Sequence, residues 1–158
     1  PFVSQPLCSA ADVVSIATGM ASGCPMGMCA ARGQVAGSCE PGDQGSTCGG
    51  SCLAVAAAEA TVGALAAEDA AGNAERTGAY LREKLAALPQ VEEVRGLGLM
   101  VACDLAEGVS APDVVLAGLD EGLLLNFTGP RTLRFLPPLV CSKEDVDVLV
   151  QKLAALLS

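Results

Sequence analysis

From residue 70 onward, apolar positions recur with two clear periods. Ala74, Thr77, Gly78, Leu81, Leu85 and Leu88 fall three or four apart, while Glu75, Arg82, Glu83 and Lys84 lie elsewhere on the wheel. This spacing predicts a helix over about 70–88 that buries one face and stops at Pro89. Val91–Val94 and Leu99–Leu105 read as two strands around Gly96-Leu97-Gly98. Pro112 to Glu121 reads as a helix with its proline near the first position, after Ser110-Ala111. Leu123–Phe127 and Thr132–Leu136 read as strands on either side of the turn Thr128-Gly129-Pro130-Arg131, and Pro137-Pro138 ends the second. Ser142-Lys143-Glu144-Asp145 is a capping signal, followed by a stripe of Val146, Leu149, Val150, Leu153 and Leu157. The order is helix, strand pair, helix, strand, strand, helix. It predicts a two-layer α+β module over residues 70–158, with helices on one face of a mostly antiparallel sheet.

The pattern before residue 70 is weaker. Val13–Ala17 and Met26–Ala31 are short apolar runs and read as buried strands, with a glycine-rich turn from Gly19 to Gly27 between them. Gly33 to Gly50 reads as a loop. Cys52–Ala67 is Ala-rich and apolar almost all round, as expected of a buried helix. The strands are too few to close a doubly wound sheet. Residues 1–69 are therefore expected to be the remnant of a larger α/β domain, and the fold class of the whole is α/β.

Composition sharpens this. Hydrophobic residues make up 51% and charged residues 17% of 158, with a mean hydropathy of +0.47. A free domain of this size needs a more polar surface, so some of it is expected to be covered by another chain or segment. A membrane span is rejected: the most apolar run, Cys52–Ala67, is interrupted by Glu59, Thr61 and Gly63, and a span needs ~20 apolar residues. The net charge of −9 and the absence of Trp, with a single Tyr, exclude a nucleic-acid footprint. The absence of His removes the commonest general base and metal ligand. Eight cysteines, with no C-x-x-C spacing, give no zinc or iron–sulfur signature. They read as reduced, small buried hydrophobes of a cytoplasmic protein, and no metal site is expected.

Two groups of residues have chemical potential. Ser46 and Thr47 lie in a glycine-rich stretch ahead of the Ala-rich helix. Their hydroxyls and the loop N–H groups suit a phosphate cradle, but the residues alone favour an N-cap and turn cluster. Arg134 sits between Leu133 and Phe135 in a predicted strand. It reads either as an outward-facing residue of an amphipathic strand or as a planar fork for a carboxylate.

Four segments together resemble one family. Asp12-Val13-Val14-Ser15-Ile16-Ala17-Thr18-Gly19, with Pro25-Met26-Gly27 after it, is similar to the segment around the cofactor lysine of acetylornithine/ornithine-type aminotransferases, class-III pyridoxal-phosphate (PLP) enzymes. Gly42-Asp43-Gln44-Gly45-Ser46-Thr47-Cys48-Gly49-Gly50 resembles that family's phosphate loop. Val94-Arg95-Gly96-Leu97-Gly98-Leu99-Met100 resembles the start of its small domain. Leu123–Pro130 and Leu133-Arg134-Phe135-Leu136-Pro137-Pro138 resemble its C-terminal strands. The resemblance implies fold-type-I architecture, a homodimer, and transfer of an amino group from acetylornithine to 2-oxoglutarate in cytoplasmic arginine biosynthesis. It also implies roles: Thr47 on the cofactor phosphate of the neighbouring subunit, Ser46 beside the substrate, and Arg134 on the substrate α-carboxylate.

The departures matter as much. Thr18 stands where the family has its Schiff-base lysine, Gln44 where it has His, and Cys48 where it has Phe. A hydroxyl supplies no nitrogen for an imine and is too weak a base to shuttle the proton. Asp12 belongs to the lysine motif and is not the acid that pairs with the cofactor ring nitrogen. The resemblance covers only the C-terminal part of such a protein, and the chain begins at Pro1, so a fragment lacking the N-terminal half is expected. The expectation is a chain that is catalytically incompetent alone, binds no PLP by itself and self-associates. A non-catalytic interaction or scaffold protein of the same descent is the alternative. A cysteine-based metal module using Cys24, Cys29, Cys39, Cys48 and Cys52 is the third.

Overall fold

The computed structural model describes residues 11–17 and 19–158 and divides into two compact units, one up to Asp69 and one from Ala70 to Ser158.

The first unit contains β1 (Val13–Ile16), β2 (Met28–Ala31), a single helical turn α1 (Gly33–Ala36) and α2 (Cys52–Ala67). β1 and β2 pair antiparallel, Val13 opposite Ala31 and Ile16 opposite Met28. The outer end of this hairpin is tied by the Arg32 N–H to the Asp12 carbonyl at 3.0 Å and by an exposed Arg32–Asp12 ion pair at 3.5 Å. Both strands were expected to be buried. Instead β2 is exposed throughout and β1 alternates, because no described element of this unit covers either face. α2 corrects a second expectation. It forms over the expected residues, but Ala58 is its only fully buried side chain and Leu53 is 75% exposed. An apolar pattern without a polar side announces that a helix is to be covered; it does not supply the cover.

The second unit is built as its periodicity predicts. α3 (Ala70–Ala86) leads into β3 (Val91–Leu97) and β4 (Met100–Leu105), then α4 (Ala111–Asp120), β5 (Asn126–Gly129), β6 (Thr132–Phe135) and α5 (Lys143–Leu156). The sheet order is β3-β4-β6-β5, every pair antiparallel. Val101, Cys103 and Leu105 of β4 and Leu133 and Phe135 of β6 alternate onto one face. There they join Leu81 and Leu85 of α3, Val114 of α4, and Val146 and Leu153 of α5 in a single core. α3 packs on β3 and β4, α5 on α3, and α4 on β5 and α5. α5 begins with the expected capping box: Ser142 Oγ accepts from the Asp145 N–H at 3.1 Å, and Asp145 Oδ2 accepts from the Ser142 N–H at 2.9 Å. Tyr80 of α3 donates to Asp147 of α5 at 2.8 Å, with Lys84 and Lys143 both 5.1 Å from its ring centre.

One close approach sets the geometry of this unit. A Cβ at Gly78 would lie 1.9 Å from the carbonyl oxygen of Gly98, so α3 presses its backbone onto the β3–β4 turn. Gly98 itself has φ +54, which favours glycine. The expected strand at Leu123–Phe127 starts later, at Asn126. The Leu123 N–H donates to the Gly118 carbonyl at 2.7 Å, so residues 123–125 complete the exit from α4 and do not join the ladder.

The cysteines divide by unit. Cys103 and Cys141 are buried, as all were expected to be. Cys29, Cys39, Cys48 and Cys52 are exposed and free. Among the described residues no group of three or more His, Cys, Asp or Glu is placed to hold a metal ion. No helix of the described residues is long and apolar enough to cross a membrane.

Candidate functional site

The loop ahead of α2 is shaped by glycines in left-handed conformation, Gly42 at φ +105 and Gly50 at φ +71. Its entry is held by a turn in which the Asp43 N–H donates to the Glu40 carbonyl at 3.1 Å and Asp43 Oδ2 accepts from the Glu40 N–H at 2.8 Å. The exit passes through Ser51, the N-cap of α2, whose side chain caps no backbone group. The first-turn N–H groups of a 16-residue helix therefore keep their donor capacity on the side of the loop. A hollow of about 350 Å³ lies there, lined by Pro25, Met26 and Gly27 and by Ser46, Cys48, Gly49, Gly50 and Ser51 with the start of α2. Ser46 packs directly against Gly49, where an added Cβ would meet Ser46 Cβ at 2.9 Å. Thr47 does not line this hollow. Thr18 lies outside the described residues; Gly19 beyond it turns at φ +80.

Free loop N–H groups and a serine hydroxyl of this kind suit an anion; an aldehyde group would need an amine. The chain has three lysines, Lys84, Lys143 and Lys152, and all belong to the second unit. Lys84 pairs with Asp147 at 3.4 Å, Lys143 stands over Tyr80, and Lys152 donates to the Glu121 carbonyl at 2.5 Å. None is near the loop in sequence, and each makes a surface contact within the second unit.

The second cluster lies on the sheet face opposite the core of the second unit. Arg134 alternates with buried Leu133 and Phe135 and so points to that other face, part-buried. In register, Arg134 stands opposite Ala102 of β4 on one side and Asn126 of β5 on the other. Its Nε is shut off from solvent and has no hydrogen-bond partner. Asn126 is occupied, its Oδ1 accepting from the Phe127 N–H at 2.8 Å. Arg134 also lines a hollow of about 380 Å³ with Asn126, Leu125, Leu136, Pro137 and Pro138. Met100 is 62% exposed, and Leu97 and Leu136 are exposed as well.

Sequence reasoning missed the group beside it. Arg95 Nη1 and Nη2 donate to Asp104 Oδ2 and Oδ1 at 2.6 and 3.2 Å, and the Thr132 hydroxyl donates to Asp104 Oδ1 at 2.6 Å. The Arg95 guanidinium, helped by the Thr132 hydroxyl, holds the Asp104 carboxyl below the usual range, and Asp104 in turn raises Arg95. The sequence signal was partial: Asp104 is the one charged residue of β4, but β3 also contains Glu92 and Glu93 and β6 also contains Arg134. Only the register shows that Arg95, Asp104 and Thr132 meet. On the core side, burial pushes the Cys103 thiol up to about 12.

These features have counterparts among known proteins. The family described as Aminotransferase class-III matches residues 3–157. Acetylornithine aminotransferase 1 of Bordetella pertussis (strain Tohama I) is 41% identical over 152 residues, covering 92% of this chain and 38% of the relative. The N-acetylornithine aminotransferase of Stenotrophomonas maltophilia K279a superposes with a TM-score of 0.85 at 29% identity, covering 99% of this chain and 42% of that one. The ornithine aminotransferase of Toxoplasma gondii, crystallised with oxidised glutathione and described with partial occupancy of PLP at its active site, gives 0.82 at 31% identity over 92% and 36%. The chain thus spans well under half the length of the relatives it matches. Over nearly all of its own length, with its helix-backed antiparallel sheet and its glycine-rich loop ahead of α2, this chain belongs to the class-III aminotransferases, a PLP-dependent family.

Proposed function

We propose that this chain is a derivative of the acetylornithine-type aminotransferases that keeps the family's carboxylate grip and has lost the capacity for amino transfer on its own. Residues 1–69 correspond in this reading to a remnant of the PLP-binding large domain, and residues 70–158 to the small domain. Arg134 holds a carboxylate, Ser46 lies beside the ligand, and Thr47 with the loop N–H groups serves a phosphate. The observation that carries the reading is the inventory of amines: Thr18 replaces the family's lysine, and the three remaining lysines are engaged on the helices of the second unit. Without an amine no imine forms, and no other group here takes its role as proton shuttle.

The test is direct. The full chain is mixed with stoichiometric PLP, reduced with borohydride, and the adducts are mapped by mass spectrometry. The expected result is no adduct beyond weak, scattered labelling of Lys84, Lys143 and Lys152. One stoichiometric, site-specific adduct would overturn the reading.

A second reading, a non-catalytic interaction protein, is supported by α2. Leu53, Val55 and Val62 are exposed on a helix whose only fully buried side chain is Ala58. A surface of this kind suits a second copy of the chain, as in the homodimer the family resemblance implies, or another aminotransferase subunit. The exposed, unpaired thiols of Cys29, Cys39, Cys48 and Cys52 suit the reducing cytoplasm.

A further inference from the structure

The sheet face that carries Arg134 has a second arginine in the same cross-strand row. Arg95 of β3 pairs in register with Ala102 of β4, and Ala102 pairs with Arg134 of β6. In the next row, Glu93 pairs with Asp104, and Asp104 with Thr132. Asp104 is therefore a diagonal neighbour of both arginines, a distance that long side chains span. Arg131 also acts on Asp104, so this carboxylate has three guanidinium groups around it. In this structure it has chosen one. Arg95 takes both Asp104 oxygens, and Thr132, directly opposite Asp104, adds a third donor to Oδ1. Arg134 has no ion pair among the described residues, and its Nε is buried without a partner.

We infer that Arg95 and Thr132 are positioning residues: they saturate Asp104 and so keep it from quenching Arg134, which stays open for an external carboxylate. The inference rests on the reading of Arg134 as a carboxylate grip and adds the device that preserves it. Two glutamates of β3 also lie beside this group. Glu93 lies opposite Asp104 and within 3.6 Å of Arg95, so it reinforces the same side. Glu92 is taken by Arg131 at 3.3 Å. Ala102, between the two arginines, offers nothing that would hold Arg134 in place of a ligand. Removing Arg95 leaves Asp104 with Arg131, which Glu92 already engages, and with Arg134, its diagonal neighbour.

The test uses the full chain labelled with ¹⁵N, with butyrate as a simple carboxylate probe and the Arg134 side-chain Nε–H resonance as readout. In the unliganded Arg95→Met variant that resonance should shift, and butyrate affinity should fall by up to about fivefold, the scale of one exposed ion pair competing with the ligand. In Arg95→Met/Asp104→Asn both should return to wild-type values, because the competing charge is gone. If Arg95→Met leaves the resonance and the affinity unchanged, the inference is overturned. It is also overturned if the double variant fails to recover, since Arg95 would then act by holding the sheet. If the wild-type chain shows no butyrate response, or Arg134→Gln responds as wild type does, the carboxylate-grip reading itself fails and takes this inference with it.

Discussion

Replacing Gly78 by alanine should destabilise the second unit, although the same change in an ordinary helix interior stabilises by about 1 kcal/mol. Gly78 is in the middle of α3, and its new Cβ would fall 1.9 Å from the Gly98 carbonyl oxygen, where ordinary contact begins at 3.4 Å. The obstacle is backbone on a tight turn, so helix and hairpin must separate by about 1.5 Å. That strain costs about 1–3 kcal/mol. The separation also strips Gly98 of the hydrogen bond donated by Arg82 Nη1 at 3.2 Å, worth about 1 kcal/mol for a part-exposed charged donor. Set against the gain in helix propensity, the net loss is about 1–3 kcal/mol. Gly63→Ala in α2 is the control, because nothing lies within 4 Å of its added Cβ. It should stabilise α2 or leave it unchanged. The assay is urea unfolding of the full chain followed by fluorescence of the single tyrosine, Tyr80, two residues from the substitution on α3. An unchanged or raised midpoint for Gly78→Ala would refute the argument, because it would mean that α3 does not rest on the turn as described.

Two further outcomes follow from the placement of titrating groups. Under native conditions at neutral pH, a thiol reagent should modify Cys29, Cys39, Cys48 and Cys52 readily and leave Cys103 intact until the chain unfolds, since burial raises that thiol to about 12; peptide mapping showing early modification of Cys103 would contradict the core assignment. Asp104, Asp145 and Asp147 have carboxyls lowered in the folded state, by Arg95, Ser142 and Tyr80 respectively as the first cause. Their stabilisation is complete above the unfolded aspartate value of about 3.9 and is lost as pH falls through their lowered folded values. Asp145→Asn should therefore flatten the loss of stability below about pH 4, measured by urea midpoints across that range, and an unchanged slope would show that the capping carboxylate is not linked to folding.

The second unit was legible because its local signals agree with one another and with the burial that results. The stripe of Leu81 and Leu85, the Ser142 to Asp145 box and the glycine pair flanking Leu97 each fix a local geometry, and all are compatible with one core. What failed there was a run of three leucines. Leu123–Leu125 have the composition of a strand, yet Leu124 is 92% exposed and Leu123 is tied back to α4, so the ladder waits for Asn126. The first unit was legible only in its elements. Its two strands and its helix form in the expected places, but their burial depends on surfaces that these residues do not contribute. A hydrophobic pattern records that a face is to be covered; the partner has to be found elsewhere. The same limit explains the thiols, since Cys48 and Cys52 read as small hydrophobes and stand in the open. At the site, Arg134 was visible because an arginine between Leu133 and Phe135 breaks an apolar strand. Its neighbours were not, because Arg95, Asp104 and Thr132 come from three strands and meet only through the register.

Arg134 carries a desolvation cost within the fold of the second unit. A buried donor with no partner destabilises a fold by about 1–3 kcal/mol, and Arg134 Nε is such a donor. The position does not require it. Ala102 beside it is small, and the strand pairing at 134 does not depend on its side chain. A sequence specifying the fold alone would place a threonine or valine at 134 and gain both β-propensity and the avoided desolvation. Gly78 and Gly96 are different in kind, since an added Cβ at either would strike backbone, so the fold accounts for them completely. Arg134 is the residue on this face that the fold does not account for. An external carboxylate gives the guanidinium the partner it lacks, so binding offsets a penalty already present in the unliganded chain. Relief of that penalty is what the proposed carboxylate grip would supply, whatever chemistry Thr18 leaves the chain.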